Sequence, residues 1–393
     1  MSRSQPRLAR EIEEAIALRI GRPCLFVPSG RMALHLALRT WLSPGSRILM
    51  SPVTDDVIFF TVLAAGLRPV MAPVSPDDGN IDPGLLDERA WSSLNGVLTT
   101  NLYGLPDRVR ELRARCDADR IPLIEDAAHA IETTVGGRSI GTFGEAAAFS
   151  LSKHVGASCG GVLAFEEESS RAELERLRDA CTVHGEARER RVRVATAGTE
   201  ALVVALRLTW PVRWLRRRLG LVERRGHRMP LLPHELRRAI SAGEGLAAMH
   251  AWVRVDRHDY RVAPSAVLLE RALRRLRRLD DDCARRADAV ERLRSLPVVA
   301  AGVRGGDAQP LFRVPLLVDD RMDLIAKLER RVVNVGYIYD PPLDDYAGPE
   351  FAEPSPAPQA ARRWASRVLP VDPLEAEQVI RTLAPLGLAP PGV

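Results

Sequence analysis

The sequence is almost without lysine. Of its 56 basic residues, only Lys153 and Lys327 are lysines, and all the others are arginines. An arginine keeps its charge in a protein, whereas a buried lysine can become a neutral amine that attacks a carbonyl carbon. The two remaining lysines are therefore candidates for a reaction that arginine cannot perform.

Paired cysteines and long apolar runs are also missing. The five cysteines are scattered, with no C-x-x-C pair and no metal-ligand spacing, which argues against a disulfide framework and against a metal site. No run approaches the roughly 20 apolar residues that a membrane-spanning helix needs. The charged first sixteen residues predict a helix and lack the apolar core of a signal peptide. These features together predict a cytoplasmic protein.

The charge of the chain is moderately positive, with a net charge of +5 and a pI near 9.2. The basic residues are spread widely and form no zinc-finger, basic-zipper or RNA-recognition pattern, so a nucleic-acid partner is not predicted. An excess of positive charge also suits a small-molecule substrate that carries phosphate or diphosphate. The length of 393 residues suits two domains.

Short apolar runs alternate with amphipathic stretches between residues 22 and 165. Stretches whose apolar residues have helical spacing lie between several of these runs. Strands that alternate with helices predict an α/β domain with a largely parallel sheet. Ligands of such sheets bind at the carboxyl ends of the strands. The predicted strands are 24–27, 47–51, 68–72, 96–100, 121–125, 146–150 and 160–165.

The remainder of the chain predicts a smaller unit. Helices are expected at 166–195 and 263–296, and a Pro/Gly-rich stretch at 340–358 predicts a long loop. We expect a large domain at residues 1–250 and a smaller C-terminal domain at residues 251–393.

Three short motifs carry candidate chemistry, and the first is PSGRM. Ser29 and Gly30 precede a predicted helix, where free backbone N–H groups and a serine hydroxyl bind anions, and Arg31 adds a cation. An ordinary capped helix is the alternative for this motif.

The second motif, LIEDAAHAI, ends a predicted strand. A carboxylate such as Asp126 at a strand end can hold a protonated pyridine nitrogen, and His129 can lie beside the same ring. Capping of a following helix by Asp126 is the alternative.

The third motif is AAAFSLSKH, in which Lys153 follows an apolar strand and enters a glycine-rich turn. Burial lowers the pKa of a lysine amine, so Lys153 is suited to forming an imine. Ser150 and Ser152 are placed to donate hydrogen bonds to a phosphate.

The order of these motifs resembles the DegT/DnrJ/EryC1/StrS family of pyridoxal-phosphate (PLP) dependent sugar aminotransferases. The resemblance rests on SGxxAL, then EDAAHA, then FSLSKH followed by a Gly-Gly pair. Further similar segments lie at 66–82, 101–109, 257–293 and 367–383. The resemblance covers nearly the whole chain apart from residues of about 185–250.

The resemblance implies a PLP-dependent transferase of fold type I, with a mostly parallel sheet in the large domain and a smaller C-terminal α+β domain. It also implies a homodimer with active sites at the subunit interface. By position, Lys153 is the Schiff-base lysine, Asp126 the partner of the pyridine nitrogen, and His129 a neighbour of the cofactor. The residues implied near the phosphate are Ser29, Gly30, Arg31 and Ser150.

Several positions depart from the family pattern. Asp55 stands where the family has an aromatic residue that stacks on the ring, and Asp344 where it has a histidine. Asp259 replaces an asparagine that reaches a phosphate. A carboxylate at that place is unfavourable unless Arg31, Arg261 or a metal compensates its charge.

Three functions follow as hypotheses. The leading one is an aminotransferase that converts a keto group of a nucleotide- or lipid-linked sugar, or of a related polyol, to an amine, with glutamate as donor. The second is a PLP-dependent sugar dehydratase or epimerase on the same scaffold. The third is a catalytically degenerate partner or regulator, because fold alone does not determine function.

The segment 199–240 is an atypical insertion that mixes apolar residues, tryptophans and arginines. In residues 199–221, Leu206, Trp210 and Trp214 can share a helical face that arginines border, which suits a helix lying on an anionic membrane surface. Packing of this face on the protein itself or on a dimer partner is the alternative, and hydrophobic faces are usually buried.

Overall fold

The structure is a computed structural model, and it describes residues 4–183, 228–255, 259–331 and 333–390. The segment 199–221, for which the sequence predicts a membrane-surface helix, lies outside the described residues. Within the described ranges, no helix combines the length and the apolarity that crossing a bilayer requires.

A seven-stranded sheet forms the centre of the molecule and confirms the predicted α/β fold. Its spatial order is β1-β9-β8-β5-β4-β2-β3, and only β9 runs against the other strands. The strands are β1 (Cys24–Val27), β2 (Arg47–Met50), β3 (Arg68–Met71), β4 (Gly96–Thr99), β5 (Leu123–Asp126), β8 (Ala146–Ser150) and β9 (Gly161–Phe165), while β6 (Thr134–Val135) and β7 (Arg138–Ser139) form a separate hairpin.

Helices cover both faces of this sheet because its strands are apolar on both sides. Along β2, for example, Ile48 and Met50 enter the hydrophobic cluster on one face and Leu49 enters the cluster on the other. The helices of this part are α1 (Gln5–Ile20), α2 (Gly30–Trp41), α3 (Asp56–Ala64), α4 (Glu88–Ser92), α5 (Val109–Asp119) and α6 (Arg171–Cys181).

The C-terminal part adds helices and a two-stranded antiparallel sheet. The sheet pairs β10 (Val314–Leu317) with β11 (Val368–Val371). The helices are α7 (Pro233–Ser241), α8 (His250–Val253), α9 (Ala266–Leu276), α10 (Leu279–Leu293), α11 (Ala301–Gly305), α12 (Arg321–Arg330), α13 (Leu343–Ala347), α14 (Pro358–Arg367) and α15 (Ala376–Leu383).

Three predicted elements need correction. The long helix at 263–296 is two helices, α9 and α10, because the chain breaks at Arg277 and Arg278. Arginines at the end of α9 and three aspartates in the first turn of α10 favour these ends through the helix dipoles. The loop at 340–358 contains the short helix α13, and the described part of the helix expected at 166–195 is α6 alone.

A third hydrophobic cluster joins the C-terminal part to the large sheet. It contains residues of α10, β10 and β11 together with Val53, Leu102 and Tyr103, which lie in loops after β2 and β4. The C-terminal part is therefore packed over the carboxyl ends of the sheet strands, where the sequence places its candidate residues.

Candidate active site

The candidate residues meet at one edge of the sheet. Ser29 follows β1, Asp55 follows β2, Asp126 ends β5, and Lys153 follows β8. Because these four strands run in the same direction, their carboxyl ends lie at the same edge. Residues that are far apart in the sequence are thereby brought together.

The start of α2 forms one corner of the site. The Ser29 hydroxyl accepts a hydrogen bond from the Met32 N–H at 3.3 Å, so it caps the helix as the alternative interpretation had it. Gly30 packs on the end of β8, where an added Cβ would lie 3.0 Å from the Ser150 Cβ. A side chain at this position would crowd the end of β8, so glycine suits the close contact. The corner has the helix-terminal N–H groups that bind anions.

Arg31, the second residue of α2, lies at the same corner and contacts Val253 and Tyr260. Its guanidinium donates a hydrogen bond to the Val253 carbonyl at 2.8 Å and lies 4.9 Å from the centre of the Tyr260 ring. The cation is thus held in place by the segment that contains Asp259, one of the departures from the family pattern.

Asp259 is compensated within the chain. Its carboxylate pairs with Arg261, with contacts of 2.8 and 3.1 Å, and accepts the Arg261 backbone N–H at 2.9 Å. Burial would raise the pKa of Asp259, but the hydrogen bonds and charge of Arg261 lower it overall. The sequence suggested three groups that could compensate the charge of Asp259. In the structure, Arg261 is the one of these that pairs with its carboxylate.

Lys153 lies in a tight turn after β8. The turn is closed by hydrogen bonds from the Lys153 N–H to Ser150 and from the Gly156 N–H to Lys153. The hydroxyls of Ser150 and Ser152 are 2.9 Å apart. Burial lowers the pKa of the Lys153 amine, and the charge of Asp55 opposes this effect. A lowered pKa supplies the neutral amine that imine chemistry requires.

Asp126 faces the same space from the end of β5. Its carboxylate accepts the Ala128 N–H at 3.0 Å and closes a turn, so no helix is capped by it. Its backbone carbonyl accepts a hydrogen bond from the Asn101 side chain at 3.0 Å. Burial raises the pKa of Asp126 to about 7, while the Ala128 hydrogen bond and the Lys153 charge oppose the rise. A positive group beside this carboxyl would stabilise its ionised form.

His129 lies flat against an aromatic ring from the C-terminal part. The imidazole and the Phe312 ring are stacked, with centres 4.7 Å apart and planes 18° apart. Burial, with the charge of Lys153, lowers the pKa of His129 well below its ordinary value. The imidazole is therefore neutral at neutral pH.

Glu125, next to Asp126 in the sequence, points to the opposite side of its strand and has a structural role. Its carboxylate accepts three backbone N–H groups, from Gly141, Phe143 and Gly144, at 2.7 to 2.9 Å. Neighbouring residues of a strand alternate between its two sides, so only one of these two carboxylates faces the site.

Asp55 is a helix cap, not a stacking residue. Its carboxylate accepts the Val57 N–H at 3.0 Å at the start of α3. Burial and the neighbouring Asp56 raise the pKa of Asp55, while the charges of Lys153 and Arg228 oppose the rise. The position thus contributes charge to the site in place of an aromatic surface.

Sequence reasoning missed Arg228, Phe312 and Tyr337. The Arg228 side chain is only 4% exposed and donates hydrogen bonds to the carbonyls of Thr54 and Pro341. The Lys153 Nζ lies 5.4 Å from the centre of the Phe312 ring and 5.3 Å from that of Tyr337. No local pattern marks these residues, because each reaches the site through long-range packing.

Residues 5–255 match the sequence profile of the DegT/DnrJ/EryC1/StrS aminotransferase family. The chain belongs to this family. Among its relatives is the spore coat polysaccharide biosynthesis protein SpsC of Bacillus subtilis (strain 168), 30% identical over 163 residues that cover 40% of this chain and 42% of SpsC. The dTDP-3-amino-3,4,6-trideoxy-alpha-D-glucose transaminase of Streptomyces venezuelae is 33% identical over 126 residues, 32% of this chain and 33% of that protein.

A solved structure shares the fold of this family member over almost its whole length. The E. coli GDP-4-keto-6-deoxy-D-mannose-3-dehydratase with bound hydrated PLP covers 96% of this chain and 91% of its own, with a TM-score of 0.66 and 17% identity. The sequence matches are shorter, since the chain spans less than half the length of the curated relatives that it matches.

Proposed function

We propose that this family member is a PLP-dependent aminotransferase that converts a keto group of a sugar, or of a related polyol, to an amine. The observation that carries the proposal is that Lys153 and Asp126 lie at the same carboxyl edge of the sheet, close enough for the charge of each to act on the other, with the start of α2 at that edge. A half-buried amine and a buried carboxylate together are the groups that a pyridine aldehyde requires. The relationship to a dTDP-sugar transaminase supports the same conclusion.

The side chains present fit PLP. Lys153 would bind its aldehyde carbon, Asp126 its protonated ring nitrogen, and His129 would lie beside the ring. The phosphate would bind where Gly30 packs on the end of β8 without a β carbon, a place that suits backbone contacts to an anion. The residues assigned to the phosphate are Ser29, Gly30, Arg31 and Ser150. When bound, the cofactor supplies an electron sink for the carbon next to the transferred nitrogen.

The residues of the chain supply positioning and proton transfer. Lys153 has a pKa lowered by burial, so its neutral amine is available to accept and return a proton. Asp126 would stabilise positive charge on the ring nitrogen of the bound cofactor. His129, neutral and held flat by Phe312, offers a hydrogen bond without adding a charge.

We also propose a cytoplasmic homodimer with active sites at the subunit interface, and glutamate as the amino donor. The support for the dimer is membership of the family, whose resemblance implies active sites at a subunit interface. A sugar linked to a nucleotide or a lipid carries the phosphate groups for which a basic protein is suited.

The experiment that tests the proposed function is an absorption spectrum with and without amino donor. Purified protein incubated with PLP is expected to show a visible band of covalently bound cofactor that disappears with glutamate and returns with 2-oxoglutarate. With [15N]glutamate and a keto-sugar, label should enter the sugar. A deoxygenated product without label supports the dehydratase alternative, and a band unchanged by amino donors supports the regulator alternative. Absence of cofactor binding contradicts the proposal.

A peripheral membrane contact through residues 199–221 stays a prediction, and a liposome experiment tests it. Co-sedimentation is expected to require anionic lipid, to fall at high salt, and to disappear when Trp210, Trp214 and Arg216 to Arg218 are replaced. The matched control is a variant in which the exposed Arg274, Arg277 and Arg278, at and just after the end of α9, are replaced instead. A folded sample that does not bind anionic liposomes excludes the contact.

A further inference from the structure

Two aromatic rings from the C-terminal part flank the amine of Lys153. The Lys153 Nζ lies 5.4 Å from the centre of the Phe312 ring and 5.3 Å from the centre of the Tyr337 ring. Both distances are within the range of about 6 Å in which an ammonium group is attracted to the face of an aromatic ring. The amine is therefore within reach of two ring faces that favour its charged form.

The Phe312 ring is fixed from several directions. The backbone N–H groups of Phe312 and Arg313 donate to the Tyr103 carbonyl at 2.9 and 3.2 Å. The guanidinium carbons of Arg313 and Arg286 lie 4.4 and 5.7 Å from the ring centre. Asp372 holds both arginines, at 2.7 and 3.2 Å. The ring thus has a defined orientation.

The same ring stacks on His129 at 4.7 Å, so Phe312 contacts two of the residues assigned to the site. Tyr337 is anchored differently. Its backbone carbonyl accepts a hydrogen bond from the Tyr103 hydroxyl at 2.8 Å, while the residue is 40% exposed. Phe312 is thus an interior wall and Tyr337 a wall at the mouth of the site.

We propose that Phe312 and Tyr337 form an aromatic clamp that holds the charged form of the Lys153 amine in the site, and that Phe312 links this clamp to His129. Both are positioning residues.

Other charged groups act on the amine in both directions. Burial and the cations Arg313 and Arg31 disfavour its charge, whereas the carboxylates of Asp55 and Asp126 favour it. The charge of the amine also acts on His129 and lowers the imidazole pKa. The clamp adds to the side of the carboxylates through the faces of two rings, without a further carboxylate.

The consequence for catalysis rests on the proposed function. Whenever the Lys153 amine is not bonded to the cofactor, the clamp keeps it beside Asp126 and His129 and away from solvent. The clamp itself is a property of the chain without cofactor, so it is testable separately.

The near absence of lysine makes this test direct. Reductive methylation of the full-length, cofactor-free chain with [13C]formaldehyde labels Lys153, Lys327 and the N-terminal amine, and any bound PLP is first removed with hydroxylamine. A Lys327→Arg variant assigns the signals. The midpoint of the pH titration of the Lys153 signal reports how strongly its charged form is favoured.

The matched pair of variants is Tyr337→Leu and Tyr337→Phe, at a position exposed enough to tolerate both. Tyr337→Leu removes the ring and is expected to lower the ratio of charged to neutral Lys153 amine about threefold at a given pH. Tyr337→Phe keeps the ring and should leave the titration unchanged. Phe312→Leu is expected to lower the ratio at least as much.

A Tyr337→Phe variant that shifts the midpoint as far as Tyr337→Leu would assign the effect to the hydroxyl and overturn the clamp. Unchanged titration in Tyr337→Leu and Phe312→Leu overturns it as well. If Phe312→Leu does not fold, the Tyr337 pair alone decides the result. None of these outcomes depends on cofactor binding, so the clamp and the proposed function fail independently.

Discussion

Replacing Lys153 with alanine is expected to abolish covalent capture of PLP and to lower transamination by about 10³-fold or more. The amine is the group that would bond to the cofactor, and it is also the group placed to move the proton. Burial lowers the pKa of this amine, which favours its neutral, reactive form. An arginine cannot take over this role because its guanidinium stays charged. Loss of both roles in one substitution makes this the largest effect that the site predicts.

The chain offers a matched control in its one other lysine. Lys327 lies on α12 and pairs with Asp323 at 2.6 Å, away from the sheet edge. Borohydride reduction followed by peptide mapping should place the cofactor on the Lys153 peptide in wild type and in Lys327→Arg, and nowhere in Lys153→Ala. Cofactor trapped in Lys153→Ala would show that another residue forms the bond.

Replacing Asp126 with asparagine is expected to lower activity by about 10²- to 10⁴-fold while the protein folds and retains some cofactor. Burial raises the pKa of this carboxyl to about 7, so a positive group beside it would stabilise its ionised form. Asparagine has the shape of aspartate, and its amide oxygen can still accept the Ala128 N–H. Because the amide is uncharged, it cannot stabilise a protonated ring nitrogen. The electron sink is then weakened.

Glu125→Gln is the control for this variant. Glu125 is the adjacent carboxylate, and it accepts three backbone hydrogen bonds on the other side of the strand. We expect Glu125→Gln to lower the free energy of unfolding by about 1–3 kcal/mol and to leave the cofactor spectrum of the folded fraction unchanged. Near-wild-type turnover in Asp126→Asn, measured per folded and loaded molecule, would assign the ring nitrogen to a different residue.

The sequence predicted the strands of the large sheet well because each is a short apolar run bounded by turn residues. Six of the seven predicted strands agree within one residue at each end, and β5 begins two residues later than 121–125 and ends one residue later. The break between α9 and α10 was missed because helical spacing continues across Arg277 and Arg278. The division of the chain near residue 250 stays a prediction.

The candidate site was predictable to the extent that its residues follow strands. Lys153 stands out because it is one of only two lysines and follows an apolar strand, and Asp126 because it is a carboxylate at the end of another apolar strand. Parallel strands end at one edge, which brings the two together. Their assigned roles in PLP binding remain predictions. The departure at Asp259 shows the limit of this reasoning, since the sequence left three compensating groups open and the structure shows Arg261 paired with it.

The amino-acid sequence by itself determined the α/β sheet, the family, and the placement of Lys153, Asp126 and Gly30 at strand ends, because these depend on local patterns and on the direction of parallel strands. Only the tertiary structure decided what surrounds the Lys153 amine. Phe312 and Tyr337 lie more than 150 positions further along the chain. They reach the amine because the C-terminal part packs its apolar cluster on the loops after β2 and β4. Long-range burial of apolar surface, which is not directional, leaves no local signal in the sequence.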